Sequence, residues 1–563
     1  MRWSGTGEVG AERVAETDGP EDRKPQSDEV RSAFVPPTGT GTPAPEDSST
    51  TSEFAVPAGL AAETPSEPEG SAFTPPETYS AQNSPSAFTP AHGFPMIKLA
   101  KEAPWQDRMR TMLRMPVHER PTVEAAQKHD EESGPAVPRV LDLTLRIGEL
   151  LLAGGEGAED VEAAMFGVTQ AYGLERCEPT VTFTLLSISH QPSLVDDPVT
   201  ASRTVRRRGT DYTRLAAVYH LIDDITSEDV DVSLEEAYRG LAGIRRNRHP
   251  YPGWALTTAN GLLAGAASVL VGGGALVFVA AMVGAMLGDR LAWFLAGRGL
   301  PEFYQFSVAA MPPAAVGVAL TLANVPDLRA SAVITGGLFA LLPGRALVAG
   351  VQDGLTGYYI TASARLLEVV YFFISIVIGV LIVISLGLQL GANQLNAEAA
   401  LLGVNRPVVQ TLAAMLLTFS FAILLQQDRS TVLMVTLNGG VAWIVYGALH
   451  YPGGFSAVPS TAIAAGLVGL FGQLFSRYRY ASALPYVTAA IGPLLPGSAT
   501  YFGMLFIAHS DVNKGLASLT KAAALALAIA VGVNLGGEIS RLFMRAPGVV
   551  GGQRRAAKRT RGF

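Results

Sequence analysis

Long runs of apolar residues fill the second half of the chain, from about residue 254 onward. Most runs are near the twenty or so residues that a helix needs to cross a bilayer core of about 30 Å, and the second is shorter. Ten such runs occur, near residues 254–272, 274–288, 304–323, 330–351, 364–388, 407–425, 430–448, 456–476, 483–508 and 516–537. The pattern predicts an α-helical polytopic membrane protein with about ten transmembrane helices.

A different pattern occupies residues 138–250, where shorter helical and strand-like stretches follow one another. Helical spacing that starts at Leu141 ends at Ala153-Gly154-Gly155, and a second helix is expected to begin near Ala158. Two strand-like stretches and two helices are then predicted, at 180–188, 200–207, 212–222 and 234–244. Because about 105 residues suffice for an independent domain, we predict a cytosolic α+β domain here.

Residues 1–95 have a composition that does not support a hydrophobic core. They contain 14 prolines and 15 acidic residues against 5 basic ones, which predicts a disordered acidic tail rich in Pro, Ser and Thr. A short motif recurs in this tail at Ser32, Ser71 and Ser86, each followed by Ala-Phe-x-Pro. Either a docking motif or low-complexity drift explains it, and drift is the simpler explanation. No apolar signal-peptide core follows the first basic residue, so the tail is expected to stay in the cytoplasm.

Residues 96–137 are interpreted as an amphipathic segment and a linker. Trp105, Met109 and Met112 recur at helical spacing, with Arg108 and Arg110 between them. This pattern fits a short helix on an anionic membrane surface, and equally a helix packed on the domain that follows.

Basic residues mark the expected orientation of the membrane part. Arginines precede the first apolar run, and a basic tail at residues 542–563 follows the last. Because cytoplasmic loops carry an excess of Lys and Arg, both termini are predicted to be cytoplasmic, which requires an even number of spans. The membrane part then divides into a first repeat at 251–390 and a second at 391–541.

Composition narrows the function classes. The chain is 48% hydrophobic and only 16% charged, which suggests a membrane protein, and the long apolar runs exclude a purely soluble one. A single cysteine, Cys177, excludes a disulfide framework and a multi-cysteine metal site. No Gly-Lys pair and hence no P-loop occurs, and the net charge of −7 disfavours nucleic-acid binding. We therefore expect no cofactor, no metal and no nucleic-acid partner, with lipid surrounding the helices; the oligomeric state stays open.

An internal repeat joins the two membrane halves. Leu-Leu-Pro-Gly ends at Gly344 in the fourth predicted span and recurs, ending at Gly497, in the ninth. Five spans per copy is an odd number, so the second copy should be inverted relative to the first, as in secondary transporters. Proline removes a helix hydrogen bond, and each span should therefore break at Pro343 or Pro496. These motifs are candidates for the substrate path, although Pro-Gly can also serve helix packing alone.

Other polar residues at membrane depth are further candidates, since charges there need a partner or a water-filled path. Asp353 could carry a proton or bind an ammonium group, or be a solvated loop residue. Glu368 could carry a proton, pair locally with Arg365, or pair with Lys521 of the other repeat. Further polar residues could line the path or merely bond across helices: Tyr501, Asn260, Gln305, Asn438 and Asn534.

The α+β segment offers several acid-base groups but no hydrolase motif. Neither HExxH nor GxSxG occurs. His220 and Asp223 are spaced for one helix face, a pairing that more often caps or solvates a helix than forms a site. Glu156 and Glu159 follow the glycine turn. A regulatory or gating module is the simpler interpretation of this domain.

Residues 140–544 resemble the threonine/serine exporter family. The stretch LRIGELLLAGGEGAE at 145–159 is similar to the family's cytosolic domain, where a helix ends in a small-residue turn before acidic positions. Thr204-Val205-Arg206-Arg207 resembles the family's basic strand, and the two Leu-Leu-Pro-Gly spans resemble its paired five-helix halves. The double Gly154-Gly155, where a single glycine is expected, is a small departure. Residues 1–95 lie outside the likeness.

The resemblance implies a secondary exporter of threonine and serine across the plasma membrane, driven by the proton gradient. Both halves are fused in this chain, whereas some relatives resemble separate subunits. Two alternatives stay open at this point. Related two-subunit systems are associated with dicarboxylate export, and a membrane-anchored hydrolase could act through the cytosolic domain.

Overall fold

The computed structural model describes residues 105–113, 137–193, 195–206, 209, 211–227, 231–247, 249–325, 329–392, 406–479, 482–508 and 510–543. The predicted acidic tail with its Ser-Ala-Phe motifs, the linker at 114–136 and the basic tail from 544 lie outside the described residues.

Five helices and a small sheet form what we call the sheet domain. Its helices are α1 Trp105–Leu113, α2 Val137–Ala153, α3 Ala158–Ala171, α4 Tyr212–Thr226 and α5 Leu234–Arg246. Its strands are β1 Cys177–Thr182, β2 Leu185–His190 and β3 Val199–Thr204, which pair antiparallel in the order β1-β2-β3. The register places Cys177 opposite His190, and Leu185 opposite Thr204.

One strand prediction was wrong. The stretch 180–188 is not a single strand but the hairpin of β1 and β2, with its turn at Phe183-Thr184. Phe183 has a φ of 49°, a left-handed conformation that a continuous strand does not contain. The apolar residues on both sides of the turn hid it, because the turn lacks the Gly, Asn or Pro that usually marks one.

Local capping explains where the last two helices of the sheet domain begin. The Asp211 carboxylate accepts hydrogen bonds from the N–H groups of Thr213 and Arg214 at the start of α4. Ser233 and Glu236 form a reciprocal capping box at the start of α5. Each cap satisfies donors that a helix N-terminus otherwise leaves unpaired, which typically stabilises the helix by about 1 kcal/mol.

Helix α1 packs against α3 of the sheet domain. Trp105 and Met109 are buried, 2% and 6% exposed, and Trp105 lies against Tyr219 with ring centroids 5.6 Å apart. Of the two interpretations of this segment, packing on the following domain accounts for these contacts, because the apolar face is covered by protein.

Twelve further helices and a 3₁₀ turn follow in the described residues. The first half comprises α6 Gly253–Leu270, α7 Ala275–Gly297, α8 Glu302–Leu322, α9 Ala330–Phe339, α10 Gly344–Leu355 and α11 Tyr359–Gln389. The second half comprises α12 Pro407–Leu424, α13 Arg429–His450, α14 Ala457–Arg479, α15 Leu484–Thr488, the 3₁₀ turn Gly492–Leu494, α16 Gly497–Ala508 and α17 Val512–Phe543.

Seven helices in the described part are long and apolar enough to cross a membrane, namely α7, α8, α11, α12, α13, α14 and α17. The mostly helical architecture with these seven helices fits a polytopic membrane protein. Three of the ten predicted runs are absent from this set for structural reasons. Runs four and nine are broken into shorter helices, and α6 carries Thr257 and Asn260 among its apolar residues. The second run, predicted at 274–288, was also too short, since α7 continues to Gly297.

Both breaks coincide with the Leu-Leu-Pro-Gly motifs. Helix α9 ends at Phe339 and α10 starts at Gly344, directly after Pro343. In the second half, the 3₁₀ turn ends at Leu494 and α16 starts at Gly497, directly after Pro496. Proline at these positions cannot donate the hydrogen bond that would continue the preceding helix, so each motif ends one helix and begins the next.

Candidate functional site

The described part of the chain contains a cavity of about 110 Å³ where the sheet domain meets the helices of both halves. Helices α1, α3 and α4 line it from the sheet domain, α10 from the first half, and α14, α15 and α17 from the second. Its polar lining includes Gln106, Arg110, Glu156, Gln473, Ser482 and Asn534.

Glu156 is the central acidic group of this cavity. Glu156 lies in the turn between α2 and α3, where Gly155 adopts a φ of 90° that residues with a Cβ rarely adopt. The N–H of Glu156 donates to Leu151 O at 3.2 Å. The side chain is 4% exposed. Its Oε1 accepts hydrogen bonds from the Tyr219 hydroxyl at 2.5 Å and the Ser482 hydroxyl at 2.8 Å. Among the described residues, Oε2 has no hydrogen-bond partner.

Burial governs the protonation of Glu156 and Tyr219. Desolvation raises the pKa of Glu156, while the hydrogen bonds from Tyr219 and Ser482 and the charges of Arg110 and Arg365 act in the opposite direction. Burial and the neighbouring Glu156 carboxylate raise the pKa of Tyr219 as well. Tyr219 therefore stays a neutral donor at physiological pH, and Glu156 holds a proton more readily than a surface glutamate.

Arg110 supplies positive charge to the same cavity. It pairs with Asp160 of α3, which fixes α1 against α3 within the sheet domain. In the part of the chain that the structure describes, its Nε has no hydrogen-bond acceptor. The cavity thus contains one carboxylate oxygen and one guanidinium donor that no described protein group satisfies.

Asp353 ties the first half to the sheet domain. It is 1% exposed, and its Oδ1 accepts a hydrogen bond of 3.0 Å from the Ala158 N–H at the start of α3. Its Oδ2 lies 2.8 Å from Arg365 Nη1 on α11, and Arg365 Nη2 donates to the Glu156 carbonyl at 2.9 Å. The alternative of a solvated loop residue is therefore wrong for Asp353, because the residue lies within α10 and is covered by α3 and α11.

Further hydrogen bonds connect the sheet domain to both halves. On the first half, the Tyr358 hydroxyl donates to Glu162 Oε2 at 2.5 Å, and Phe183 N–H donates to Thr361 Oγ1 at 3.1 Å. On the second half, Tyr212 donates through its N–H to Leu425 O and through its hydroxyl to Thr488 Oγ1, at 3.1 and 3.2 Å. The sheet domain thus bridges the two halves directly.

The two Leu-Leu-Pro-Gly motifs contact each other reciprocally. A Cβ atom on Gly344 would lie 2.6 Å from Leu495 Cδ1, and one on Gly497 would lie 2.8 Å from Phe339 Cδ2 and 3.0 Å from Leu342 Cδ1. A Cβ atom at either glycine would require these neighbouring side chains to shift. The motif of each half therefore packs against the motif of the other.

The remaining predicted path residues are spread over several helices. Asn260 donates across to Ala285 O of α7 at 3.2 Å, and Asn438 donates across to Val468 O of α14 at 3.3 Å. Asn534 donates within α17 but lines the cavity. The others have varied surroundings: Gln305 donates to Leu300 O at 2.7 Å, Tyr501 is buried against Phe502, Glu368 is half-buried and Lys521 is exposed.

Sequence reasoning identified some cavity residues and missed others. Glu156 stood among the candidate acids because it follows a glycine turn, and Asn534 stood among the path residues. Tyr219 and Ser482 were missed, since a hydroxyl in an apolar helix or loop has no sequence signal of its own. His220, a weak candidate paired with Asp223, is exposed on α4 and lies outside the cavity lining.

Comparisons with known proteins identify the family. Residues 142–387 match the family described as "Putative threonine/serine exporter", and residues 410–538 match the one described as "Threonine/Serine exporter, ThrE". A "Probable threonine/serine exporter" of Mycobacterium tuberculosis is 36% identical over 71% of this chain and 76% of its own length. A "Threonine/serine exporter" of Corynebacterium glutamicum is 31% identical over 73% of this chain and 84% of its own.

No solved structure matches the chain. The sequence-based resemblance is confirmed, as is the expectation of a multi-pass transporter and not an enzyme. The two family matches, together with relatives that align over most of their length, show that the chain belongs to the threonine/serine exporter family.

Proposed function

We propose that this protein is a secondary transporter that exports threonine and serine across the plasma membrane in exchange for inward-moving protons. The observation that carries the proposal is the reciprocal contact between the two broken segments, at Gly344 with Leu495 and at Gly497 with Leu342. Paired broken helices from two repeats are the typical site-forming elements of secondary transporters. The family membership supplies the substrate class.

Ten membrane crossings in two inverted repeats account for the helices. To the seven long helices we add α6, whose 18 residues span about 27 Å, and the broken segments α9–α10 and α15–α16. The helix pairs that pack in the first half have counterparts in the second. The α8–α11 pair corresponds to α14–α17, and the α10–α11 pair corresponds to α16–α17. Because five is an odd number of crossings, the second half then has the opposite orientation in the membrane to the first.

The sheet domain lies in the cytosol in this arrangement. Its contacts fall at the junctions α10–α11, α12–α13 and α14–α15, through residues such as Tyr358, Leu425 and Ser482. In the ten-crossing count these junctions share one side of the membrane with Gly253 and the C-terminal tail. Arginines concentrate on that side, which marks it as cytoplasmic.

Coupling to protons requires a titratable group reached from each side in turn. Asp353 lies on α10, which begins at the first break, and Glu368 lies on the next helix, α11; we propose them as proton-carrying groups. Protonation of Asp353 would weaken its pair with Arg365 and its cap on α3, and so would link proton movement to the sheet domain. The substrate path follows Pro343, Gly344, Pro496, Gly497 and Tyr501, while Lys521 and the path amides Asn260, Gln305, Asn438 and Asn534 flank it.

Efflux from loaded cells tests the proposed function. Cells that overproduce the chain and are loaded with a threonine dipeptide should lower their internal threonine faster than control cells, and a protonophore should abolish the difference. The energy must come from a gradient, where one proton is worth about 2.3 kcal/mol per 100 mV. Efflux of succinate without efflux of threonine or serine would transfer the proposal to dicarboxylates.

Variants locate the parts of the mechanism in the same assay. Pro343→Ala and Pro496→Ala should reduce efflux with expression preserved, whereas Pro452→Ala, in an exposed turn, serves as the matched control. Asp353→Asn or Glu368→Gln should make efflux insensitive to the protonophore if that acid carries the proton. Full gradient-driven efflux in both acid variants would refute the proton assignment and leave export standing.

A further inference from the structure

Three side chains of the sheet domain that line the cavity each carry a buried polar atom without a hydrogen-bond partner among the described residues. Within the described residues, Glu156 Oε2, Arg110 Nε and Gln106 Oε1 each lack a hydrogen bond, and all three side chains line the same cavity. Buried polar atoms in native proteins nearly always have partners. Three at a single cavity therefore indicate a place built to hold a polar ligand.

The chemistry of these atoms is that of a receptor for a zwitterion. A buried carboxylate oxygen accepts hydrogen bonds from an ammonium group, and a guanidinium N–H donates to a carboxylate. Gln106 Oε1 is an acceptor for a hydroxyl or a further ammonium hydrogen. Arg110 is close enough to Glu156 for its charge to favour the ionised carboxylate, so the two opposite charges lie within reach of one small molecule.

We propose that this cavity binds a small hydroxylated amino acid, with the ammonium group of the ligand on Glu156 and its carboxylate facing Arg110. The inference rests on the proposed function and deepens it, because it assigns recognition to the sheet domain and not to the helices alone. A volume of about 110 Å³ leaves room for several water-sized positions, which suits a small amino acid. Gln473, Ser482 and Asn534 of the second half complete the enclosure.

Other ligand classes fit the cavity less well. The acidic residues that line the cavity, Glu156, Asp160 and Glu538, outnumber its arginines, Arg110 and Arg477, so a ligand with two negative charges and no positive one is disfavoured there. A metal ion is disfavoured too, since the described residues contain no group of three or more His, Cys, Asp or Glu side chains arranged to hold one.

Glu156→Gln is the decisive variant. The glutamine carbonyl can still accept from Tyr219 and Ser482, so the fold should be retained, while the negative charge is lost. Binding of radiolabelled threonine to the purified full chain should weaken at least about tenfold, the loss typical of a charge-assisted hydrogen bond. Glu178→Gln is the matched control, because Glu178 is exposed on β1 and its replacement should leave the affinity unchanged.

Ligand analogues separate a lost ion pair from general damage to the cavity. In competition assays, 3-hydroxybutyrate, which lacks the amine, should bind Glu156→Gln at least as tightly as wild type, because the variant removes a negative charge beside this anion. Arg110→Lys keeps a positive charge for Asp160 but removes Nε, so it should weaken threonine binding and spare threoninol, which lacks the carboxylate. Thermal unfolding of each variant verifies that it is folded.

The outcomes distinguish this site from the proposed function. Wild-type affinity for threonine in Glu156→Gln, or an equal loss for threonine and 3-hydroxybutyrate, would overturn the site. If the site is overturned but wild-type cells export threonine, the proposed transport function stands without this site. Selective loss of threonine binding supports the site, and binding without export would leave the site and remove the function. A wild-type chain that binds no zwitterionic amino acid overturns the site, and the efflux assay then decides the transport function separately.

Discussion

At the residue scale, the buried carboxylate of Glu156 makes the free energy of unfolding depend on pH. Its pKa is raised mainly by burial, so between the usual carboxyl range and the raised pKa the folded state binds more protons than the unfolded chain. Stability therefore falls as pH rises through that interval, since the slope follows the protons bound by the unfolded state minus those bound by the folded state. The charged or titratable groups around it are Tyr219, Arg110, Arg365, Asp160, Arg477 and Glu538, and Asp353 lies beside the adjacent Gly157.

We expect Glu156→Gln to stabilise the ligand-free protein at neutral pH by roughly 1–2 kcal/mol, because a desolvated charge is removed. The gain should shrink toward pH 4, where wild-type Glu156 is protonated. Thermal unfolding of both proteins in detergent, measured from about pH 4 to pH 8, gives the difference. The other titrating groups are common to both proteins and cancel, and a gain that grows toward acid pH would contradict the burial argument.

The contact at Gly344 predicts a contrast between two glycines of the same helix. Gly344→Ala places a methyl group 2.6 Å from Leu495 Cδ1, and such overpacking costs about 1–3 kcal/mol. Gly354→Ala meets only Ala362 Cβ at 3.6 Å, so it should be neutral or stabilising by up to about 1 kcal/mol, since alanine favours the helix. Melting temperatures report both changes. Equal effects would show that the two breaks do not pack tightly.

Individual site residues were only partly predictable from the sequence. The glycine turn pointed to Glu156, but its partner Ser482 lies 326 positions away, and no local pattern reveals such a pairing. Asp353 was recognised as unusual because of its charge. Its role as the cap of α3 depends on how the sheet domain docks, which periodicity does not encode.

At the element scale, the hydrophobic pattern predicted most helices and missed where they bend or pair. Apolar runs located α8, α12, α13 and α14 to within a few residues, because a membrane-spanning helix must be apolar along its whole length. Pro343 and Pro496 correctly marked breaks. The β1–β2 hairpin was read as one strand, since Phe183 gives no turn signal.

Because Asp353 attaches α10 to α3, replacing it should destabilise the protein more than replacing an exposed aspartate. Asp353→Asn removes the carboxylate beside Arg365, where both side chains are almost fully buried, and breaking such a pair typically costs about 3–5 kcal/mol. Asp511→Asn breaks an exposed pair with Lys514, and exposed pairs of this kind contribute little to stability. Thermal unfolding in detergent compares them, and a similar small loss in both would mean that Asp353 does not hold the sheet domain in place.

At the scale of the whole molecule, the sheet domain contacts both halves and encloses the cavity between itself and the helices. Glu156 is held by Arg365 of the first half through its carbonyl and by Ser482 of the second half through its carboxylate. Any movement of one half relative to the other must change at least one of these bonds. The sheet domain is therefore placed to respond to the conformational cycle that a transporter undergoes.

The ten-crossing arrangement makes a topology prediction that seven crossings do not. Reporter fusions after Gly253 and after Arg555 should both report the cytoplasm, because ten crossings return the chain to its starting side, whereas seven would place the two fusions on opposite sides. Fusions after Val325 and after Gly357 flank the broken segment α9–α10. If that segment crosses the membrane, the first should report the outside and the second the cytoplasm. Identical signals from Val325 and Gly357 would show that α9 and α10 enter and leave on one side, and the inverted five-crossing repeat would then have to be abandoned.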